Sequence, residues 1–126
     1  MDENVRFYKC PICGNVIGLI HGDAGHMQCC GKPMELMVAN TTDAATEKHV
    51  PVYEKVGDEI TARVGEVPHP MEENHYIMWL AQVADNSTTR VRFLPGQVAE
   101  AKFPYIPGAS LYAYCNTHGL WKSTVE

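Results

Sequence analysis

His49-Val-Pro-Val-Tyr-Glu-Lys-Val56, Gly57-Asp58 and Glu59-Ile-Thr-Ala-Arg-Val64 follow one another without a break. Both flanks are strand-like in composition, and the Gly-Asp pair between them is a hairpin signal. Downstream, Tyr76-Ile-Met-Trp-Leu-Ala-Gln-Val83 is a continuous apolar run. Its aromatics and the Asn86-Ser87 turn after it favour a buried strand over a short helix. Thr88 to Leu94 alternates, with Val91 and Phe93 on one face, and stops at Pro95-Gly96. Leu111-Tyr-Ala-Tyr114 and Leu120-Trp-Lys-Ser123 flank one more turn. Eight prolines, and no long segment of 3.6-residue period, argue against a helical domain. Short strands at regular spacing predict an all-β fold of the sandwich kind.

The chain has 126 residues, enough for one moderate domain or a domain with a small appendage. At 45% hydrophobic and 20% charged, it fits neither a disordered nor a membrane protein. No apolar run approaches the roughly 20 residues of a spanning helix. The start, Met-Asp-Glu-Asn-Val-Arg-Phe-Tyr-Lys9, lacks the apolar core of a secretory signal, so a cytoplasmic location is expected. There, clustered cysteines read as metal ligands rather than disulfides, and five is an odd number to pair. A net charge of -5 with no run of Lys or Arg disfavours a nucleic-acid partner.

Residues 1 to about 36 hold Cys10, Cys13, Cys29 and Cys30 but very few large apolar side chains. Such a segment buries too little surface to fold alone. A structural metal contributes on the order of 10 kcal/mol, more than Val16, Ile17, Leu19 and Ile20 could add. Cys10 and Cys13 form a C-x2-C knuckle that aims two thiolates at one ion. Cys29 and Cys30 are adjacent, and both can bind one metal only through a short, constrained chelate. An ordinary zinc ribbon spaces its second pair as C-x2-C. The doublet therefore favours a distorted iron tetrathiolate, while a zinc site that only pins the fold stays open as the other reading. Asn40 to Thr46 reads as a polar linker or surface loop.

Cys115 is left over, in Tyr-Cys-Asn-Thr-His-Gly119 with His118 three residues on. A thiolate and an imidazole at that spacing can share a metal from one tight loop. Six histidines are present, of which His21 and His26 read as exposed loop residues of the small module. His49 stands at a strand entry. His69 lies between Pro68 and Pro70, which fix the backbone around it at what reads as a solvent edge. His75 precedes the apolar run. With Cys115 and His118, these make one mononuclear site plausible. Four nitrogens around a metal with one axial sulfur would leave a position open opposite the sulfur.

At these residues the chain resembles the two-iron superoxide reductases, or desulfoferrodoxins, over essentially its whole length. The resemblance rests on Y-K-C-P-I-C-G-N, C-C-G-K-P-M, E-K-H-V-P-V, V-P-H-P-M-E-E-N-H-Y and Y-C-N-T-H-G-L-W-K. It implies a desulforedoxin-like module over residues 1–37 and an immunoglobulin-like β-sandwich over 38–126. Two iron ions per chain are implied, one on Cys10, Cys13, Cys29 and Cys30, the other on His49, His69, His75, His118 and Cys115. Glu47 is similar to the carboxylate that takes the sixth position of the ferric form, and Lys48 to the cation beside it. The implied activity is one-electron reduction of superoxide to hydrogen peroxide, with a rubredoxin-like electron donor and a homodimeric assembly. Ala113 departs from the family, whose members often carry Glu there, and leaves open what tunes the Cys115 sulfur. Two other functions are consistent with the residues alone: a zinc-ribbon module on a ligand-binding β-domain, and an electron carrier with both metals closed.

Overall fold

The structure, a computed structural model, describes residues 5–23 and 25–126. The start of the 1–37 module and the Met1-Asp-Glu-Asn4 part of the signal reading lie outside the described residues.

The expected hairpin is β6 (Pro51–Val56) and β7 (Glu59–Val64), labelled in chain order with the five short strands and one helical turn that precede them. It turns at Gly57, whose φ of 63° lies where only glycine is unstrained. Register runs from Val56↔Glu59 to Pro51↔Val64. A second sheet holds β8 (Ile77–Val83), β9 (Thr88–Arg92), β11 (Ser110–Cys115) and β12 (Gly119–Thr124), in the order β12-β11-β8-β9. One further strand, β10 (Glu100–Pro104), completes the first sheet as β10-β7-β6 and was not apparent from sequence. It alternates with Ala101 and Phe103 buried, and ends at Pro104 on an edge strand, where a missing N–H is tolerated.

The two sheets face each other across the main core. Ile60, Ala62 and Val64 of β7 meet Ile77 and Leu80 of β8, Leu111 and Ala113 of β11, and Trp121. Full burial of each large apolar chain here contributes about 1.5–3 kcal/mol. Cys115 lies in this cluster too, fully buried at the end of β11.

A second core lies on the other side of the β8–β11–β12 sheet. Trp79, Ala81, Val83, Tyr112, Tyr114 and Leu120 pack there against Val5 and Phe7. The Phe7 ring sits 5.0 Å from Trp79 and 5.2 Å from Tyr112. β8 is thus covered on both faces, which explains why it reads as continuously apolar. A bulge sharpens this. Tyr114 pairs with Trp79 but Cys115 with Ile77, leaving Met78 as the extra residue. Met78 and Trp79 consequently share the outer face, while Ile77 and Leu80 share the inner one.

The N-terminal module is built from β1 (Arg6–Lys9), β2 (Val16–Leu19), β3 (Gln28–Cys29), β4 (Lys32–Pro33) and β5 (Glu35–Leu36). β1 is central in the order β2-β1-β5, and β3 pairs with β4. The apolar anchors differ from those expected. Ile17 and Ile20 are exposed, whereas Val5, Phe7 and Tyr8 are buried, because β1 lies against the sandwich. The supposed linker is also fixed at both ends. Asn40, with φ 63°, donates its backbone N–H to Leu120 and uses its amide on both the C=O and the N–H of Lys122. Thr46–His49 forms a single helical turn, α1, instead of continuing the loop into the strand.

Candidate metal centres

The first centre is assembled from two turns. After β1, Gly14 donates to the Cys10 carbonyl, and Cys10 donates to Asn15 O at 2.8 Å. This closes the knuckle and lets the Ile12 and Cys13 N–H groups donate to Cys10 Sγ at 3.4 and 3.5 Å. In the second turn, successive side chains of an extended chain would point to opposite faces. Cys30 instead adopts φ 53°, followed by Gly31 at 73°. That left-handed step costs a non-glycine residue about 1–2 kcal/mol and returns the Cys30 sulfur to the side of Cys29.

The sulfurs of Cys13 and Cys29 are 3.6 Å apart, and those of Cys29 and Cys30 3.9 Å. Tetrahedral thiolates about 2.3 Å from one ion would be about 3.8 Å apart, so the set fits a metal. Ionisation tells the same story. Backbone N–H groups, that of Cys13 foremost, draw the Cys10 thiol down to about 6. Hydrogen bonding with Cys13 and then Cys10 pushes Cys29 up to about 12, and Cys30 is raised as well, chiefly by Cys13. Four thiolates cannot share this space without a cation to offset them.

The second centre gathers His49, His69, His75, His118 and Cys115, whose donor atoms all lie within 4.8 Å of one another. The rings form a closed square. Neighbouring centroids are 4.6 Å apart for His49–His69, 4.8 Å for His69–His75, 5.0 Å for His75–His118 and 4.9 Å for His118–His49. Each ring stands nearly perpendicular to the next, at 74–86°. His49 Nε2 is 3.0 Å from His69 Nε2 and 3.1 Å from His118 Nδ1. Nitrogens at right angles, each about 2.1 Å from one ion, would be about 3 Å apart. The Cys115 sulfur reaches opposite corners of the square, 3.4 Å from His69 Nε2 and 3.9 Å from His118 Nδ1, and so lies over it. Cys115 is fully buried, whereas His75 and His118, which share one edge of the square, are half-buried.

Local structure sets each ring. His49 Nδ1–H donates to Ala45 O at 2.7 Å, and the ring stacks on Trp121 at 4.9 Å. His69 Nδ1–H donates to Pro70 O at 2.6 Å. Both bonds fix the tautomer, leaving the Nε2 lone pair for a metal. Burial lowers the pKa of both rings, that of His69 to about 4, so both are neutral and ready to ligate. His69 is buried and not at a solvent edge as its flanking prolines suggested. His75 Nε2 is buried with no protein partner, as a metal-facing nitrogen should be. Burial raises the Cys115 thiol, opposed by the backbone N–H groups of His118 and Thr117. Ala113, inward-facing and fully buried, adds no polar group, so the sulfur's hydrogen bonds come from the backbone of its own loop.

Both centres thus have the donors and spacing that the two irons of a desulfoferrodoxin require. Family models described as "Desulfoferrodoxin, N-terminal domain" and "Desulfoferrodoxin" match residues 2–37 and 41–124. The chain belongs to the desulfoferrodoxin family. It is 51% identical to a desulfoferrodoxin of Syntrophotalea carbinolica, with 98% of each chain covered. It is 35% identical to a superoxide reductase of Pyrococcus abyssi, over 64% of this chain and 87% of that one. Among solved structures, the superoxide reductase from Treponema pallidum matches with a TM-score of 0.75 and 28% identity, over 95% of this chain and 98% of that one. The all-β arrangement, a desulforedoxin-like module before an immunoglobulin-like sandwich, agrees with these matches.

Glu47 and Lys48 are exposed on α1, directly before His49. His21 and His26 are exposed and join neither donor group. Three supporting residues escaped the sequence reading. Ala45 contributes only a carbonyl, Trp121 only a ring face, and Gly65 only space. A Cβ on Gly65 would come within 2.5 Å of Glu47 O and 2.7 Å of Lys48 C. Of these, Trp121 in Gly-Leu-Trp-Lys122, just past the Cys115 loop, had the clearest signal.

Proposed function

We propose that this chain is a superoxide reductase, with the five-donor centre as its active site. The reading rests on the square of four imidazoles with a buried sulfur within reach of its opposite corners. Ferrous iron in this centre would supply one electron to superoxide, which takes up two protons and leaves as hydrogen peroxide. The four imidazoles and the Cys115 thiolate would hold that iron, the thiolate donating charge to it. A chain of net charge -5 repels an anion at long range, so Lys48 supplies local attraction and a hydrogen-bond donor. Glu47, its exposed neighbour on α1, would ligate such an iron in its ferric form, as the resemblance implies.

The division into 1–37 and 38–126 assigns electron relay or structural support to the first centre and catalysis to the second. A rubredoxin-like donor, a homodimeric assembly and a cytoplasmic location complete the proposal, supported by the resemblance to two-iron relatives. No helix among the described residues is long and apolar enough to cross a membrane.

Stopped-flow mixing of the reduced protein with superoxide tests the activity. One peroxide should form per superoxide consumed, with no oxygen evolved and with the oxidised spectrum responding to azide or cyanide. Oxygen evolution, or a spectrum indifferent to both anions, would replace the proposal with a dismutase or an electron carrier.

A further inference from the structure

We propose that Asn116 is a positioning residue of the five-donor centre: its side-chain amide sets where His75 stands relative to Cys115. The inference rests on reading that centre as a metal site. Each of the other rings has a visible means of placement. His49 and His69 are held through Nδ1 by backbone carbonyls, and His118 rides on the Cys115 loop, its N–H donating to the sulfur. His75 Nε2 has no protein partner. Its backbone is tied locally to Glu72, by N–H donations in both directions at 2.9 and 3.1 Å.

The longer tie comes from Asn116. Its Oδ1 accepts the Tyr76 N–H at 2.9 Å, its Nδ2 donates to Asn74 O at 3.0 Å, and its own N–H donates to Tyr76 O at 3.2 Å. The residues on both sides of His75 are therefore held by the residue that follows Cys115. This happens where the β8–β11 ladder ends, just past the bulge: the Asn116 N–H still donates to Tyr76 O, and the amide oxygen takes the place of the backbone acceptor for the Tyr76 N–H. A short amide offers a donor atom and an acceptor atom there side by side; Asp keeps the acceptor alone and Ala keeps neither.

The test measures Co(II) affinity at the five-donor centre of the full chain in four forms: wild type, Asn116→Ala, His75→Ala and the double variant. The tetrathiolate absorption in the same samples reports that the rest of the chain is folded. Asn116→Ala should weaken binding by about 10- to 100-fold and shift the thiolate-to-metal absorption. On the His75→Ala background the same change should alter affinity by no more than about twofold. Wild-type affinity and spectrum in Asn116→Ala, or equal losses on both backgrounds, would overturn the assignment. Should Asn116→Ala fail to fold, Asn116→Asp, which loses only the tie to Asn74, carries the same comparison with a smaller loss: weaker binding that disappears on the His75→Ala background supports the assignment, and wild-type affinity or equal losses overturn it. A wild-type chain that binds no metal at this centre would sink the metal-site reading itself, and the inference with it.

Discussion

The two centres are built on opposite plans. The tetrathiolate takes its ligands from Cys10 to Cys30, on turns between strands of two to four residues, with Cys13 and Cys30 exposed. The five-donor centre draws on residues from His49 to His118, and its donors stand on α1, two loops and the end of β11. In the first, the ion holds the turns together; in the second, a sandwich with its own core holds the donors ready. The contrast predicts a site that folds with its metal beside a site that precedes it.

Metal removal tests this contrast with the largest effect. Stripping both ions should cost the module on the order of 10 kcal/mol, opening its amides to hydrogen exchange. Amides of β7, β8 and β11 should stay protected; their joint loss would show that the sandwich depends on metal as well. Next comes Phe7→Ala, which empties the centre of the second core. A loss of about 3–5 kcal/mol is expected, with the tetrathiolate colour bleaching at lower urea than the far-UV signal of the sandwich. A single shared transition would mean that the two parts unfold as one.

Gly65→Ala addresses how rigidly the sandwich presents its donors. Its φ of 74° and the approach to Glu47 O predict a loss of about 1–3 kcal/mol, with weaker metal binding at the five-donor centre and none of the change at the tetrathiolate. An unaltered centre would show that α1 is free to adjust. Lys48→Ile should leave stability within about 0.5 kcal/mol, as befits an exposed side chain. Its effect should lie in kinetics: a slower reaction with superoxide and a flatter dependence on ionic strength. Unchanged rates would remove Lys48 from the site.

The same contrast governs what could be read from the residues. Cys10, Cys13, Cys29 and Cys30 announce a metal site because their spacing is local. The four histidines are spread over three motifs, each unremarkable alone; with the spare Cys115 they make one site plausible, and the resemblance to a family supplies the full ligand set. The β6–β7 hairpin was legible from Gly57-Asp58. β10 was not, because Glu100-Ala-Lys-Phe-Pro104 is short and ends in proline. α1 is one turn with no side-chain cap, held by backbone and tertiary contacts that no local propensity encodes. Val5 and Phe7 drew no notice beside the cysteines, since nothing in their neighbourhood shows that a second core lies across the sheet. Asn116 gives no local signal, because its clamp depends on Asn74 and Tyr76, some forty residues earlier.

The outer face of the β8–β11–β12 sheet has a consequence for chains of other lengths. Trp79, Tyr112, Tyr114 and Leu120 form one contiguous wall that stays dry only while Val5 and Phe7 cover it. A sandwich of this sequence shorn of its module would show water a sticky aromatic plate, prone to self-association. An independent version would need those positions rewritten in polar residues or shielded by something else. The identity of four outward-facing side chains therefore records whether such a sandwich travels alone or in company.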